Sequence, residues 1–236
     1  MTSPIIIAQK NTVGLITLNH LEKHNCLSPL MMHALCDAYQ SLEKNNDVHV
    51  IILNANGKNF CSGADLDHMK AMAKASDQEN LQDAKKLAQF FNAIYLCKKP
   101  TICCVHGNSL GGALGLIAAH DIAIATSDAE FCFPEVKVGL MPATIAPFVT
   151  QRMGYQHAKL HMLLAKPFSA KKAQEIRLID YVCEDNAVAF ALSLAESLSK
   201  NNLKAMQSTK QWLQTLFPIT AEQLNRAAEL LAAIRR

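Results

Sequence analysis

Apolar residues in the first half of the chain alternate between strand-length runs and helical spacing. Ile5–Gln9 and Val13–Asn19 flank a polar turn, which predicts a β-hairpin. Leu30–Leu42 and Asn80–Leu96 place apolar side chains every three or four residues, as in helices that bury one face. Buried strands are predicted, in chain order, at Val48–Leu53, Ile102–Val105, Ile122–Ala125 and Glu130–Phe133. This alternation of strands and helices predicts an α/β fold.

From Ala143 onward the chain is predicted to be almost entirely helical. A short helix at Gly112–His120 precedes it, and Asp180–Cys183 is the one strand predicted there. The other helical segments are Ile145–Met153, Gln156–Leu164, Ala170–Ile176, Ala187–Leu198, Leu203–Phe217 and Ala221–Ile234. No low-complexity linker divides the chain. We therefore expect one α/β core over residues 1–185 and a helical region over residues 186–236 packed on it.

Composition restricts the class of protein. Half of the 236 residues are hydrophobic and 18% are charged, which is typical of a globular protein and not of a disordered one. The net charge of +3 is small and spread along the chain, so neither nucleic acid nor a membrane surface is an expected partner. The longest apolar stretch, Leu110–Ala125, is interrupted by His120 and Asp121 and is too short to span a bilayer.

The eight cysteines indicate reduced thiols. None of them forms a C-x-x-C pair, and several lie in predicted strands or helices, where a thiol behaves as a small hydrophobic group. Their spacing predicts no metal site. No basic segment precedes the first strand, so we do not expect a signal peptide. We therefore expect the protein to be cytoplasmic.

Two loops with glycines and one glutamate suggest a common site. The segments Asn59–Leu66 and Gly107–Gly112 each follow a predicted strand, and glycine lets a backbone approach a ligand closely. Gly112 also begins a predicted helix, where an N–H group has no partner within the helix. Glu135 follows a later strand, and burial would raise its pKa and suit it to proton transfer. Two N–H groups aimed at one oxygen, with a carboxylate nearby, can stabilise an enolate.

These segments together resemble the crotonase superfamily, the enoyl-CoA hydratases and isomerases. The resemblance is carried by Phe60–Leu66, Gly107–Gly112 and Pro134–Pro142, and the order, the spacing and the segment Leu21–Ser28 also match. It implies a ββα spiral core assembled as a homotrimer or a dimer of trimers. It also implies an acyl-CoA thioester as the substrate, with no separate cofactor because coenzyme A is part of that substrate.

The resemblance also implies a role for individual residues. The N–H groups of Ala64 and Gly112 would form an oxyanion hole for the thioester carbonyl, and Glu135 would exchange a proton with the α-carbon of the substrate. The substrate-binding residues that it implies are Lys23, His24, Cys26, Ala64, Asp65, Leu66, Asp67, Gly111 and Gly112. A last helix that covers the acyl pocket belongs to the same pattern, and since the chain stops at Arg236 we expect that cover to be reduced.

Two departures from the family pattern bear on the reaction. Hydratases with two glutamates carry the second one three residues after the oxyanion-hole glycine, where this chain has Gly115. Ala143–Phe148 stands where the family has a glycine-rich stretch. With both departures, the sequence resembles a subgroup of bacterial hydratases that act on branched substrates of the methylglutaconyl-CoA and isohexenylglutaconyl-CoA type.

An enoyl-CoA hydratase that works with Glu135 as its single glutamate is therefore the leading hypothesis. A Δ3-Δ2-enoyl-CoA isomerase, which needs only one glutamate, is the alternative within the family. A catalytically weak acyl-CoA-binding protein is the alternative from another class.

Overall fold

A six-stranded sheet forms the centre of the fold in a computed structural model, which describes residues 3–235. The strands are β1 (Ile5–Lys10), β2 (Val13–Leu18), β3 (Val50–Ala55), β4 (Thr101–Val105), β6 (Ile122–Thr126) and β9 (Tyr181–Cys183), in that spatial order. The predicted hairpin β1–β2 is antiparallel, and every later neighbour in this sheet is parallel. Cys103 of β4, for example, stands between Leu53 and Ala123.

A smaller sheet lies beside the large one. It contains β5 (Asn108–Leu110), β7 (Glu130–Cys132) and β8 (Phe168–Ser169), with β5 parallel and β8 antiparallel to β7. Cys61 continues this sheet through a single parallel bridge to Ser109. The sequence did not predict β5 or β8, so the prediction of one strand after residue 143 was wrong. Strands of two or three residues are too short to show an alternating pattern.

Ten α-helices surround the sheets in the described part of the chain. They are α1 (Pro29–Lys44), α2 (Leu66–Met72), α3 (Asp77–Tyr95), α4 (Gly112–Ala118), α5 (Ala146–Met153), α6 (Tyr155–Leu164), α7 (Ala170–Glu175), α8 (Ala187–Ser199), α9 (Leu203–Leu216) and α10 (Ala221–Ile234). All were predicted from the sequence except α2. Its start is fixed by Asp65, whose carboxylate accepts hydrogen bonds from the N–H groups of Asp67 and His68.

The central part of the chain repeats a strand of the large sheet, a short strand of the small sheet and a helix. β4, β5 and α4 form one such turn, and β6, β7 and α5 form another. β3, the Cys61 bridge and α2 form a third. Cys61, β5 and β7 run parallel, so their carboxyl ends meet at one edge of the small sheet. Ala64, Gly112 and Glu135 each follow one of these ends by two or three residues, and the spiral therefore brings them together.

The core fills the space between the sheets and the inner helices. Its largest fully buried side chains include five phenylalanines, Phe60, Phe91, Phe131, Phe133 and Phe148. On the opposite face of the large sheet, α8 packs through Ala187, Ala191 and Ala195, whose small side chains let the helix approach closely. α10 packs on α3, with Ala228 against Ala84. None of the described helices is long and apolar enough to cross a membrane.

Candidate active site

The two glycine-bearing loops touch at Gly63. A Cβ atom built on Gly63 would lie 2.5 Å from the carbonyl oxygen of Leu110 and 3.6 Å from the backbone nitrogen of Gly112. Gly63 also has a φ of +85°, which L side chains rarely adopt. Only glycine satisfies both conditions, so the contact between the loops depends on this residue.

Hydrogen bonds fix the direction of the first loop. The carbonyl of Gly63 accepts from the N–H of Leu27 at 2.7 Å, and the N–H of Ser62 donates to the carbonyl of His24 at 3.0 Å. The N–H and C=O groups of one peptide unit point in opposite directions. The N–H of Ala64 therefore points away from Leu27.

The N–H groups of Ala64 and Gly112 are both available to a ligand. Neither donates a hydrogen bond within residues 3–235. Gly112 is the first residue of α4, and N–H groups of a first helical turn have no acceptor inside the helix. Two unpaired donors on touching loops can bind the oxygen of a polarised carbonyl. Their role as an oxyanion hole stays a prediction.

Glu135 lies directly against the second loop. A Cβ atom on Gly111 would be only 2.8 Å from Oε1 of Glu135, and the φ of Gly111 is +52°, so glycine is required here as well. The other carboxylate oxygen, Oε2, is buried and has no hydrogen-bond partner among the described residues. Removal from water disfavours the charged form and raises the pKa of Glu135 from 4.5 to about 7. A carboxyl with such a pKa can accept and return a proton near neutral pH.

The space where the family's second glutamate would stand is filled by apolar side chains. A Cβ atom on Gly115 would lie 2.2 Å from Cγ2 of Ile145 and 3.2 Å from Cε1 of Phe91. The first distance is far below any contact that atoms tolerate. Gly115 therefore leaves no room for a carboxylate at this position.

One cavity of about 580 Å³ connects these groups. All the substrate-binding and catalytic residues that the sequence indicated line it: Lys23, His24, Cys26, Ala64, Asp65, Leu66, Asp67, Gly111, Gly112 and Glu135. Their placement on one cavity agrees with a single site. Which of them binds or reacts with a substrate stays a prediction.

Lys23 ties the loop before α1 to the start of α2. Its ammonium lies 3.0 Å from a carboxylate oxygen of Asp65 and 3.0 Å from one of Asp67. These hydrogen bonds raise the pKa of Lys23, and the Lys23 bond helps to lower the pKa of Asp65. Lys23 therefore holds the two aspartates in place at the mouth of the cavity, with its positive charge shared between them.

Several cavity residues were not predicted from the sequence. Phe91 and Leu87 come from one face of α3, where residues four apart point the same way, and the helical spacing could have identified that face. Thr144 is also part of the lining and is only 3% exposed, and its hydroxyl has no hydrogen-bond partner among the described residues. Leu231 of α10 and Arg235, just after this helix, also line the cavity.

No cluster of histidine, cysteine, aspartate or glutamate side chains in residues 3–235 could hold a metal ion. All eight cysteines are free thiols.

The spiral of ββα turns, with two donor loops and a carboxylate at one sheet edge, defines a protein of the crotonase fold. An enoyl-CoA hydratase from Shewanella pealeana has the same fold, with a TM-score of 0.88 and 37% identity over 98% of this chain and 88% of its own. The family model described as enoyl-CoA hydratase/isomerase matches residues 8–233. The chain therefore belongs to the enoyl-CoA hydratase/isomerase family.

Curated relatives include both activities of the family. An enoyl-CoA hydratase of Alternaria alternata is 32% identical over 89% of this chain and 68% of its own length. A peroxisomal Δ(3,5)-Δ(2,4)-dienoyl-CoA isomerase of Arabidopsis thaliana is 32% identical over 92% of this chain and 84% of its own. The family membership is thus shown, and the choice between water addition and double-bond migration is left to the site.

Proposed function

We propose that the protein is an enoyl-CoA hydratase that adds water across the 2,3 double bond of an acyl-CoA thioester with a single catalytic carboxylate. The observation that carries the proposal is the buried, unpartnered oxygen of Glu135 beside the loops of Ala64 and Gly112. The family membership supplies the substrate class.

The proposed reaction needs only Glu135 and the two N–H groups. Water attacks C3 while Glu135 accepts its proton, and the electrons of the double bond move into an enolate whose oxygen is bound by the N–H groups of Ala64 and Gly112. Glu135 then delivers the proton to C2, so one water is added and the carboxylate is restored. The pKa of about 7 matches a group that must accept and release a proton in one turnover.

Thr144 favours hydration over isomerisation. It lines the cavity next to Ile145, the residue that fills the space of a second glutamate, and its hydroxyl is unpaired within the described residues. A hydroxyl can hold a water molecule without taking its proton. Water held between Thr144 and Glu135 would need no second carboxylate.

The acyl chain is proposed to be branched, of the methylglutaconyl type. The support is the resemblance of Gly115 and Ala143–Phe148 to that subgroup, together with the packing of Ile145 against Gly115. A homotrimer or dimer of trimers is proposed for the assembly. The cytoplasmic location and the lack of a separate cofactor stay predictions.

A Δ3-Δ2-enoyl-CoA isomerase is the second candidate. The side chains around Gly115 are apolar, and moving a double bond requires only that one carboxylate carry a proton from one carbon to another. An isomerase would not need the Thr144 hydroxyl.

The test is to incubate the protein with crotonyl-CoA, 3-methylglutaconyl-CoA and a 3-enoyl-CoA, and to identify the products by mass spectrometry. A gain of one water from the first or second substrate supports the hydratase. Conversion of the third to its 2-enoyl isomer with no hydration of any substrate supports the isomerase. Binding without turnover supports an acyl-CoA-binding protein, and full turnover by Glu135→Gln would rule out both enzymes.

Thr144 provides the matched pair of variants. Thr144→Val has the same shape without the hydroxyl, and Thr144→Ser keeps the hydroxyl. For the hydratase we expect Thr144→Val to lower the hydration rate about tenfold, the cost of a lost hydrogen bond to water in the transition state, while Thr144→Ser retains most of the rate. Equal rates for Thr144→Val and the wild type would remove the support that Thr144 gives to hydration.

A further inference from the structure

Three ionisable side chains from three separate segments of the chain meet on the lining of the cavity. His68 of α2 and Arg235, just after α10, both contact Asp83 of α3, with Nε2 of His68 2.6 Å and Nη1 of Arg235 2.7 Å from its two oxygens. Nη1 of Arg235 also donates to Oδ1 of Asn80 at 3.2 Å. We call His68, Asp83 and Arg235 the polar cluster. All three line the same cavity as Glu135.

Arg235 has hydrogen-bonding capacity that the protein does not use. Its side chain is only 8% exposed, and its Nε is buried with no partner among the described residues. Both hydrogen bonds of its guanidinium are made by Nη1, so Nη2 makes none within residues 3–235. Nε and Nη2 form one edge of the guanidinium, and that edge matches the two oxygens of a carboxylate. A buried cationic donor without an acceptor is costly, which indicates that a ligand completes it.

The polar cluster lies at some distance along the cavity from the loops of the proposed oxyanion hole. Asp83, Leu87 and Phe91 are four residues apart on α3 and all line the cavity. A Cβ atom on Gly112 would lie 3.8 Å from Cζ of Phe91, so Phe91 marks the reacting end. Asp83 is about 12 Å further along the helix axis. The lining between the two ends includes Leu87 and Leu231, which suit an acyl chain.

We propose that Arg235 binds a terminal carboxylate on the acyl chain, so that the preferred substrates are CoA monothioesters of dicarboxylic acids. The free guanidinium edge takes the carboxylate, Asp83 and Asn80 hold the guanidinium in position, and His68 holds Asp83. This subsite rests on the proposed function for the acyl-CoA ligand, and the methylglutaconyl type proposed above is one such monothioester. It needs no particular fate of the double bond.

The charge of Asp83 gives the proposal a directional test. Asp83 orients Arg235 but also repels a bound carboxylate. Asp83→Asn keeps an oxygen that can accept from Nη1 and removes the negative charge. We therefore expect opposite effects from two neighbouring variants: weaker binding of carboxylate-ended substrates in Arg235→Met and tighter binding in Asp83→Asn.

The experiment compares pairs of 2-enoyl-CoA substrates of equal chain length, one ending in a carboxylate and the other in a methyl group. For Arg235→Met we expect kcat/KM to fall at least about tenfold with the carboxylate-ended member, as for the loss of a hydrogen bond to a charged group, and less than about threefold with its methyl-ended partner. Arg226→Met is the matched control, because Arg226 is an exposed arginine of α10 that is paired with Glu229.

Three outcomes would overturn the proposal. An equal loss with both members of a pair means that Arg235 only anchors α10 on α3. The loss of kcat/KM in Arg235→Met could occur with CoA thioesters but not with pantetheine thioesters of the same acyl groups. That result would mean that the polar cluster binds a phosphate of CoA. A loss of carboxylate preference in Asp83→Asn equal to that in Arg235→Met contradicts the expected opposite signs.

Failure of the proposed function is distinguishable from failure of the subsite. If the wild type turns over none of these substrates, calorimetry with saturated acyl-CoA ligands still measures the preference. The subsite predicts that the carboxylate-ended ligand binds more tightly than the methyl-ended one, and that Arg235→Met abolishes the difference. Equal affinity of the wild type for both ligands would overturn it.

Discussion

Glu135 shows at the scale of one residue how a site is made at the expense of stability. Its Oε2 is buried with no hydrogen-bond partner in the described part of the chain, and burial raises the pKa of the carboxyl from 4.5 to about 7. The folded state therefore holds the proton more tightly than the unfolded chain does. Between pH 4.5 and 7 the stability contributed by this group falls as the pH rises, because the unfolded chain releases the proton there while the folded state still holds it.

Glu135→Gln should remove that dependence along with the activity. Each pKa unit is worth about 1.4 kcal/mol, so we expect the variant to gain up to about 3 kcal/mol of unfolding free energy over the wild type at pH 8, and much less at pH 5. Urea unfolding at the two pH values measures the difference. Glu196→Gln, at an exposed site of α8, is the control and should show no such trend. A gain for Glu135→Gln that is the same at both pH values would contradict the assignment.

Replacing Gly115 by alanine should change the stability of the protein in the opposite direction from most glycine-to-alanine substitutions in helices. Replacing a glycine inside a helix by alanine normally stabilises a protein by about 0.5–1 kcal/mol. Here the new Cβ would lie 2.2 Å from Cγ2 of Ile145, so we expect Gly115→Ala to lose about 1–3 kcal/mol instead.

A second substitution tests whether that contact is the cause. Ile145→Ala removes Cγ2, so the double variant should recover part of the loss in a double-mutant cycle measured by thermal unfolding. If Gly115→Ala proves more stable than the wild type, the space at Gly115 is open, and a second carboxylate would have been possible there.

At the scale of elements, the long helices and the buried strands could be predicted from the sequence. α1 and α3 differ from their predicted ranges by a few residues, because their apolar spacing and their capping residues Ser28 and Ser76 are local signals. β5 and β8 could not be predicted, since two or three residues pair only when the spiral brings their partners. α2 was missed although Asp65 is a good N-cap, because its seven residues include no buried side chain.

Part of the candidate site could likewise be predicted from the sequence, and part could not. Ala64, Gly112 and Glu135 could be predicted because their motifs are local, and each stands two or three residues after a strand or bridge of the small sheet. The polar cluster could not, because it joins His68 of α2 and Asp83 of α3 to Arg235, which lies 152 residues beyond Asp83 in the chain. Contacts of this kind depend on how helices pack, which no single segment encodes.

α8 provides a prediction for helix packing on the sheet. Ala191 is fully buried between the helix and the strands, in a cluster with Val50 and Ile102. Ala191→Leu would insert three extra carbons into a filled layer, and we expect a loss of about 1–3 kcal/mol in urea unfolding. Ala189→Leu adds the same carbons at an exposed position of the same helix and should change stability by no more than about 0.5 kcal/mol. Equal effects of the two variants on stability would contradict the packing of α8 on the sheet through Ala191.

At the scale of the whole molecule, α9 presents an apolar surface that the rest of the described chain leaves uncovered. None of its residues is buried. Trp212 and Leu213 are 64% and 55% exposed, and Phe217 just beyond the helix is 72% exposed. Contiguous apolar side chains on a surface mark an interaction site more often than chance exposure. The homotrimer or dimer of trimers proposed for this chain would give that surface a partner.

Trp212 is the only tryptophan of the chain and can report on that assembly directly. If α9 is covered by another copy, the fluorescence of Trp212 should be blue-shifted at high protein concentration and move to the red on dilution, as the ring returns to water. Light scattering should show the mass falling over the same concentration range. Phe217→Glu should shift both transitions to higher concentration, since a buried charge opposes association, whereas Ala189→Glu, at an exposed site of α8, should leave them unchanged. A red emission that does not depend on concentration, in a protein that scatters as a trimer, would place the interface on another surface of the molecule.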